Sequence, residues 1–279
     1  MAQLATPDLT VQGEGILGMP FPGHLGRHAL GGRNWESFGP DPYLAGVAMS
    51  PSVLGIQSVG VQACSKHYIG NEQEPQRTSS IQGNTTVIHA IYSIIDDRTL
   101  HELCLWSFAD AVEAGTASIM CSYNLANGNY SCANSEPMVI LKEVLAFPGY
   151  VVSDWYATHG TASHVNAGLD IEMPGNASAL SGPSYVGGLL LSVFKDGQVP
   201  ESLLDDMAEQ VQTPYFLLGQ DDDYPTVDPA SGDSFSVYEY GNNSELLFNF
   251  PKVPARDVRV NHATLIRQMG AAGTALLKV

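Results

Sequence analysis

Basic residues are scarce in this chain: 12 Lys and Arg stand against 29 Asp and Glu in 279 residues, a formal charge of −17. Charged residues of both signs make up 15% of the chain, where roughly 25% is usual. So acidic a surface repels phosphate backbones and anionic headgroups, which excludes nucleic acid and membrane surfaces as partners. Long apolar runs are missing too. The longest, residues 186–194, is interrupted by Gly187 and Gly188 and falls far short of the roughly 20 residues needed to cross a bilayer. The first 15 residues have neither a basic nor an apolar stretch, so no secretory signal is read there. The 8 His are scattered without ligand spacing and no glycine-rich loop follows a strand, so neither a metal nor a nucleotide cofactor is expected. No Gly-x-Ser-x-Gly elbow suggests a Ser nucleophile. Four Cys are too few for a disulfide scaffold. Cys121 and Cys132 flank a turn-rich stretch and could close a short loop; the alternative is four buried thiols.

What remains is enough for a large core. Apolar residues make up 44%, with 3 Trp, 12 Tyr and 9 Phe, and the length suits one large domain or two small ones. Four Asn-x-Ser/Thr sequons, at Asn84, Asn129, Asn176 and Asn242, are about twice the number expected by chance and point weakly to secretion. One design recurs. Short apolar runs at 61–65, 117–121, 150–153 and 169–173 end abruptly in polar or aromatic residues, and helical patterns follow. Repeated strand-then-helix units predict a parallel α/β sheet. A helix is predicted over 99–114, with Thr99 and Glu102 as a capping box and Gly115 as its stop. Another starts near Pro200 and runs through Leu203, Leu204, Met207 and Val211. After Leu218 the composition turns to Asp, Ser, Gly and Asn as far as about Pro254, which reads as a linker. Residues 261–269 look helical and 274–279 look like a lone strand.

In parallel sheets, reactive groups sit just beyond the carboxyl ends of the strands. Here the strands deliver Lys66 and His67, Tyr123, Asp154 and Trp155, and Glu172. Cations, carboxylates and aromatics on one rim suit a sugar, whose hydroxyls take charged partners and whose ring faces stack on aromatics. A carboxylate beside an aromatic also suits glycoside cleavage, where an oxocarbenium-like centre must be trapped. Blander roles stay open: Asp154 as a helix cap, His67 as a hydrogen-bonded core residue, Trp155 as core, Glu172 as partner of a neighbouring Lys or Arg. Lys66 after a buried strand is harder to dismiss, because an unpaired buried ammonium is costly.

The motifs themselves resemble a family. Gly-Gly-Arg-Asn-Trp-Glu-Ser-Phe at 31–38 with Pro-Asp-Pro-Tyr-Leu at 40–44, Lys-His-Tyr-Ile-Gly-Asn-Glu-Gln-Glu at 66–74, Ser-Ile-Met-Cys-Ser-Tyr-Asn at 118–124, Val-Ser-Asp-Trp at 152–155 and Gly-Leu-Asp-Ile-Glu-Met-Pro-Gly at 168–175 are similar to fungal β-glucosidases of glycoside hydrolase family 3. The resemblance implies an incomplete TIM-like (β/α) barrel with a linker into the start of an α/β sandwich domain. It divides the chain into an unmatched segment 1–24, a partial catalytic barrel 25–218, a linker 219–255 and a sandwich start 256–279. It implies a secreted, retaining hydrolase acting on terminal β-D-glucosyl residues of β-glucosides or cello-oligosaccharides. Asp154 would be the nucleophile. Arg33, Lys66 and His67 would hold sugar hydroxyls, Met120 and Tyr123 would line the pocket, and Trp155 would flank the ring. Lys66 and Arg33 would keep Asp154 ionised. Family members carry the general acid/base in the sandwich domain and a sugar-binding Asp in the earliest barrel strands. Neither is matched here, and a stretch after Arg77 is short, so weak or no turnover of cellobiose is expected of this chain alone.

Overall fold

A computed structural model of the chain describes residues 19–29, 31–82, 86–175, 183–222 and 260–275. Its centre is a four-stranded, all-parallel sheet in chain order: β1 (Met19–Pro22), β2 (Ala63–Tyr68), β6 (Ser118–Cys121) and β9 (Tyr150–Ser153). The run read at 169–173 extends the sheet by a single parallel bridge, Val152 to Ile171. Among the described residues the architecture is an open α/β arrangement, short of the eight strands that close a TIM barrel. β1 lies inside the segment 1–24 that the family motifs leave unmatched, so the sheet begins earlier in the chain than those motifs. Pleating explains the strand sequences: Ser118, Ile119 and Cys121 and all four residues of β9 are buried, as in a parallel sheet covered on both faces.

Helices cover this sheet. α1 (Pro42–Gln57) starts at Asp41, whose carboxylate accepts the Leu44 N–H at 3.0 Å, with Pro42 in the first turn. Its inward side, Met49, Val53 and Ile56, packs with Val61, Ala63 and Ala111. The helix predicted over 99–114 spans 97–113 instead. Its middle, Leu100–Cys104, is wound as a π-helix, and its last part is α2 (Trp106–Glu113). The capping box does not form. Asp96 caps the helix by accepting the Thr99 N–H at 3.0 Å, and Glu102 pairs with Arg98 one turn back at 3.0 Å. Phe108 from α2 meets Tyr68 edge-on, with centroids 5.2 Å apart. α1 and α2 approach so closely at Gly46 that a Cβ there would strike the Asp110 carboxylate.

Excursions above the strands include the hairpin β3 (Ser80–Gln82) and β4 (Thr86–Ile88), and a small sheet of β5 (Tyr92–Ser93), β7 (Leu125–Ala126) and β8 (Asn129–Tyr130). Cys121 and Cys132 form a disulfide across the β7–β8 loop, while Cys64 and Cys104 are buried thiols. α3 (Ser135–Val139) leads to Lys142, and α4 (Ala162–Ala167) follows β9. Two further helices, α5 (Gly188–Lys195) and α6 (Glu201–Leu217), pack on α4 through Val165, Val199 and Met207. α7 (His262–Ala272) begins after Asn261. Most of the linker and the terminal strand read from the sequence lie outside the described residues, as do Asn84, Asn176 and Asn242. No helix among the described residues is long and apolar enough to cross a membrane.

Candidate active site

Asp154 is the first residue beyond β9. Its N–H donates to the Cys121 carbonyl at 3.2 Å, which continues the β6–β9 ladder by one step. Oδ1 accepts the Trp155 N–H at 2.6 Å. Oδ2 is buried and has no hydrogen-bond partner, and it lies 3.3 Å from His67 Nε2. Burial pushes the Asp154 carboxyl above the usual carboxylate range. The Trp155 N–H and the charges of Arg77 and Arg33 pull it back only in part. His67 is driven well below its ordinary value by burial and then by the Lys66 and Arg33 charges, so it stands beside Asp154 as a neutral imidazole and the contact is no ion pair.

Lys66 and His67 do not follow their strand; they lie within it. Neighbours on a strand normally face opposite sides of the sheet. Here the register against β6 shifts between Lys66 and Tyr68, and such a bulge re-aims side chains. Both Lys66 and His67 consequently reach the same cavity.

Two of the cations also hold a second carboxylate. Lys66 Nζ lies 3.1 Å from Glu36 Oε2, and Arg33 grips the same carboxylate with Nε to Oε1 at 2.6 Å and a second nitrogen to Oε2 at 2.9 Å. Burial raises the Glu36 carboxyl, but these hydrogen bonds and charges outweigh it and hold the group below its ordinary value. Desolvation outweighs the Arg33 and Arg77 charges in the Asp154 shift, while Lys66 and Arg33 both also hold Glu36. The chain of charges continues through Glu74, 3.9 Å from Arg33 and 2.9 Å from Arg77. The Arg77 guanidinium sits over the Tyr123 ring, 4.7 Å from its centroid.

The seven residues singled out in the sequence, Arg33, Lys66, His67, Met120, Tyr123, Asp154 and Trp155, all line one cavity of about 500 Å³, within the size range of small-molecule sites. Tyr123 donates its hydroxyl to the Trp155 carbonyl at 2.7 Å, which ties the loop after β6 to the loop after β9. The Trp155 ring stays 41% exposed at the mouth. Tyr156, next in sequence, takes φ 61, unusual for a residue with a side chain, and its N–H is held by the Met173 carbonyl at 2.9 Å. Glu172 is the exception among the candidates. It is absent from the cavity lining, and instead accepts the Ser184 hydroxyl at 2.8 Å and the Val186 N–H at 2.9 Å, fixing the chain ahead of α5. Arg77, Ser153 and Met173 line the cavity without having been singled out, and Glu36 was read only as part of a motif. Its spacing of three from Arg33 was the one available signal. Among the described residues no three metal-ligating side chains converge.

Comparison with known proteins places these features in context. The model of the glycosyl hydrolase family 3 N-terminal domain matches residues 24–213. A protein named probable beta-glucosidase G from Emericella nidulans is 48% identical over 268 residues, covering 93% of this chain and 33% of that protein. The structure of a Chaetomium thermophilum beta-glucosidase matches with a TM-score of 0.81 at 38% identity, over 99% of this chain and 33% of that one. Beta-glucosidase 3B from Thermotoga neapolitana, solved in complex with glucose, matches with a TM-score of 0.67 at 27% identity over 84% of this chain and 33% of that one. The chain thus spans about a third of the length of these relatives.

Proposed function

The chain belongs to glycosyl hydrolase family 3, and from that premise we propose that it bears the sugar-binding pocket and nucleophile of a retaining β-glucosidase acting on terminal β-D-glucosyl residues of cellobiose and other β-glucosides. The carrying observation is that Asp154, with one carboxylate oxygen left without a hydrogen-bond partner, lines one cavity together with Arg33, Lys66 and His67. In this reading a carboxylate oxygen of Asp154 attacks the anomeric carbon and displaces the leaving group, giving a glycosyl-enzyme that water later hydrolyses. Arg33, Lys66 and His67 donate to or accept from sugar hydroxyls, while Met120 and Trp155 contact the apolar faces of the ring. Because burial raises its carboxyl, Asp154 loses its negative charge at a higher pH than an ordinary Asp, so glycosylation slows earlier on acidification. The beta-glucosidase names of the relatives support the substrate class.

The proposal also covers cell location and domain division. A disulfide suits a secreted protein, and Asn129, exposed on β8, is a candidate glycan acceptor. Residues 25–218 form the catalytic part, 219–255 the linker and 256–279 the start of a second domain, in an enzyme that degrades cellulose or related glucans.

One observation favours a second reading, a sugar-binding remnant without turnover. Among the described residues Asp154 is the one acid that lines the cavity, whereas retention needs a partner carboxyl about 5 Å away. Losing an acid typically costs about 10²- to 10⁴-fold, most for poor leaving groups. Dinitrophenyl β-glucoside is therefore expected to be cleaved by the purified chain, cellobiose far more slowly, and neither by Asp154→Ala. Glucose binding in calorimetry with no cleavage of the activated glucoside would leave the remnant; neither binding nor cleavage would overturn both readings.

A further inference from the structure

The charges around the pocket form an alternating chain: Lys66, Glu36, Arg33, Glu74 and Arg77, with Asp154 across the cavity. Three positive groups face three negative ones. Building on the glycosidase reading, we infer that Glu36 is a positioning and specificity-determining residue, which holds Arg33 and Lys66 as oriented donors and, together with Glu74 and Asp154, balances the charge of the three cations, so that the pocket accepts an uncharged sugar and refuses one carrying a carboxylate.

Three observations carry this. Glu36 engages both cations at once and takes two hydrogen bonds from the Arg33 fork, the geometry that fixes a guanidinium most firmly. Its side chain is only 14% exposed and that of Lys66 12%, so water screens the group little, whereas Glu74 is 26% exposed and stands 3.9 Å from Arg33. Asp154, the third negative charge in that balance, would itself repel an anionic sugar. With every cation already matched, a sugar carboxylate would enter without a compensating partner, which is costly in a buried site.

The charged and titratable groups facing Asp154 are Lys66 and His67 from β2, with His24 stacked behind His67 at 5.9 Å, Arg33 and Glu36 from the 31–36 turn, Glu74 and Arg77 from the segment after β2, and Tyr123 from the loop after β6. Replacing Glu36 with Gln keeps the shape and leaves one net positive charge. A positive charge gained nearby favours the Asp154 carboxylate and gives an anionic sugar a partner.

The test follows covalent trapping of the full chain by dinitrophenyl 2-deoxy-2-fluoro-β-glucoside. An Asp154 oxygen bonds to the anomeric carbon as the bond to the dinitrophenolate breaks, and the departing anion carries the electron pair and needs no proton. Trapping rate against pH is measured for the parent chain, Glu36→Gln, Glu36→Asp and Lys66→Gln, each shown to melt cooperatively, with methyl β-glucoside and methyl β-glucuronide as protecting competitors. For Glu36→Gln the acidic midpoint is expected to fall by about one pH unit and the protection ratio to move about tenfold toward the glucuronide. Glu36→Asp, which keeps the charge, should restore the parent midpoint and ratio. Lys66→Gln should raise the midpoint, and it decides the matter if Glu36→Gln does not fold. An unchanged midpoint and ratio in Glu36→Gln, or an unmoved midpoint in Lys66→Gln where only that variant folds, overturns the inference while leaving the glycosidase reading intact. A parent chain that is neither trapped nor protected by the glucoside overturns that reading as well.

Discussion

The two walls of the pocket are built on different principles. The wall carrying Asp154 is held by backbone: parallel ladders of β6 and β9, the added Asp154 N–H bond to Cys121, the Tyr123–Trp155 tie and a disulfide beside it. Opposite it, the 31–36 turn and the 70–77 segment carry Arg33, Glu36, Glu74 and Arg77, which are tied to one another and to Lys66 of β2 by ion pairs between side chains. A nucleophile must keep its place whatever its ionisation, and sheet hydrogen bonds do not depend on side-chain charge. Donors to a sugar must be aimed and neutralised together, which paired carboxylates do. The first wall should therefore fail through folding and the second through charge.

The largest break of the first wall lies behind it. Lys142 Nζ contacts both Asp170 oxygens at 2.8 and 2.9 Å, and Asp170 also accepts the Val151 N–H of β9 at 2.7 Å. Removing one partner of a buried pair strands the other. Lys142→Ala should lose about 3–5 kcal/mol in denaturant unfolding while the pH midpoint of trapping in the surviving folded protein stays put. A smaller effect separates the walls by pH. His164, behind the loop that follows Asp154, accepts the His159 N–H on Nε2 at 3.1 Å, and burial lowers it from 6.5 to about 4. Its folded value lies below its unfolded one, so its contribution to stability is complete above pH 6.5 and is lost as pH falls toward 4, at most about 3 kcal/mol. His164→Gln should flatten that part of the stability curve; an unchanged acidic slope would show that this histidine does not set it.

The difference between the walls also explains what was legible in the sequence. The strands at 150–153 and 118–121 could be read because an apolar run that stops at a polar residue is a local signal, and Asp154, Trp155 and Tyr123 follow directly. α1 went unread because Tyr43, Leu44, Val47 and Leu54 are exposed while Met49, Val53 and Ile56 are buried; apolar on both sides, with Pro51 inside, it shows little helical period. Asp96 was passed over for Thr99 because both can cap a helix and only coordinates choose. The reach of Lys66 and His67 into one cavity depends on a register shift, and Glu36 on a partner 30 positions away. The register shift has no local trace, and the local sign of Glu36 is only its spacing of three from Arg33. Glu172, in the run 169–173, shares the pattern that places Asp154 on the rim, yet the chain turning back at 184–186 claims its carboxylate.

The central claim is that Asp154 is the atom-donating nucleophile of a sugar pocket. Digestion of the chain after trapping with the fluoroglucoside, followed by mass measurement of each peptide, tests it directly. The account predicts one fluoroglucosyl adduct, on Asp154, formed more slowly when methyl β-glucoside is present. An adduct on another residue, or none at pH values where Asp154 is ionised, would contradict it.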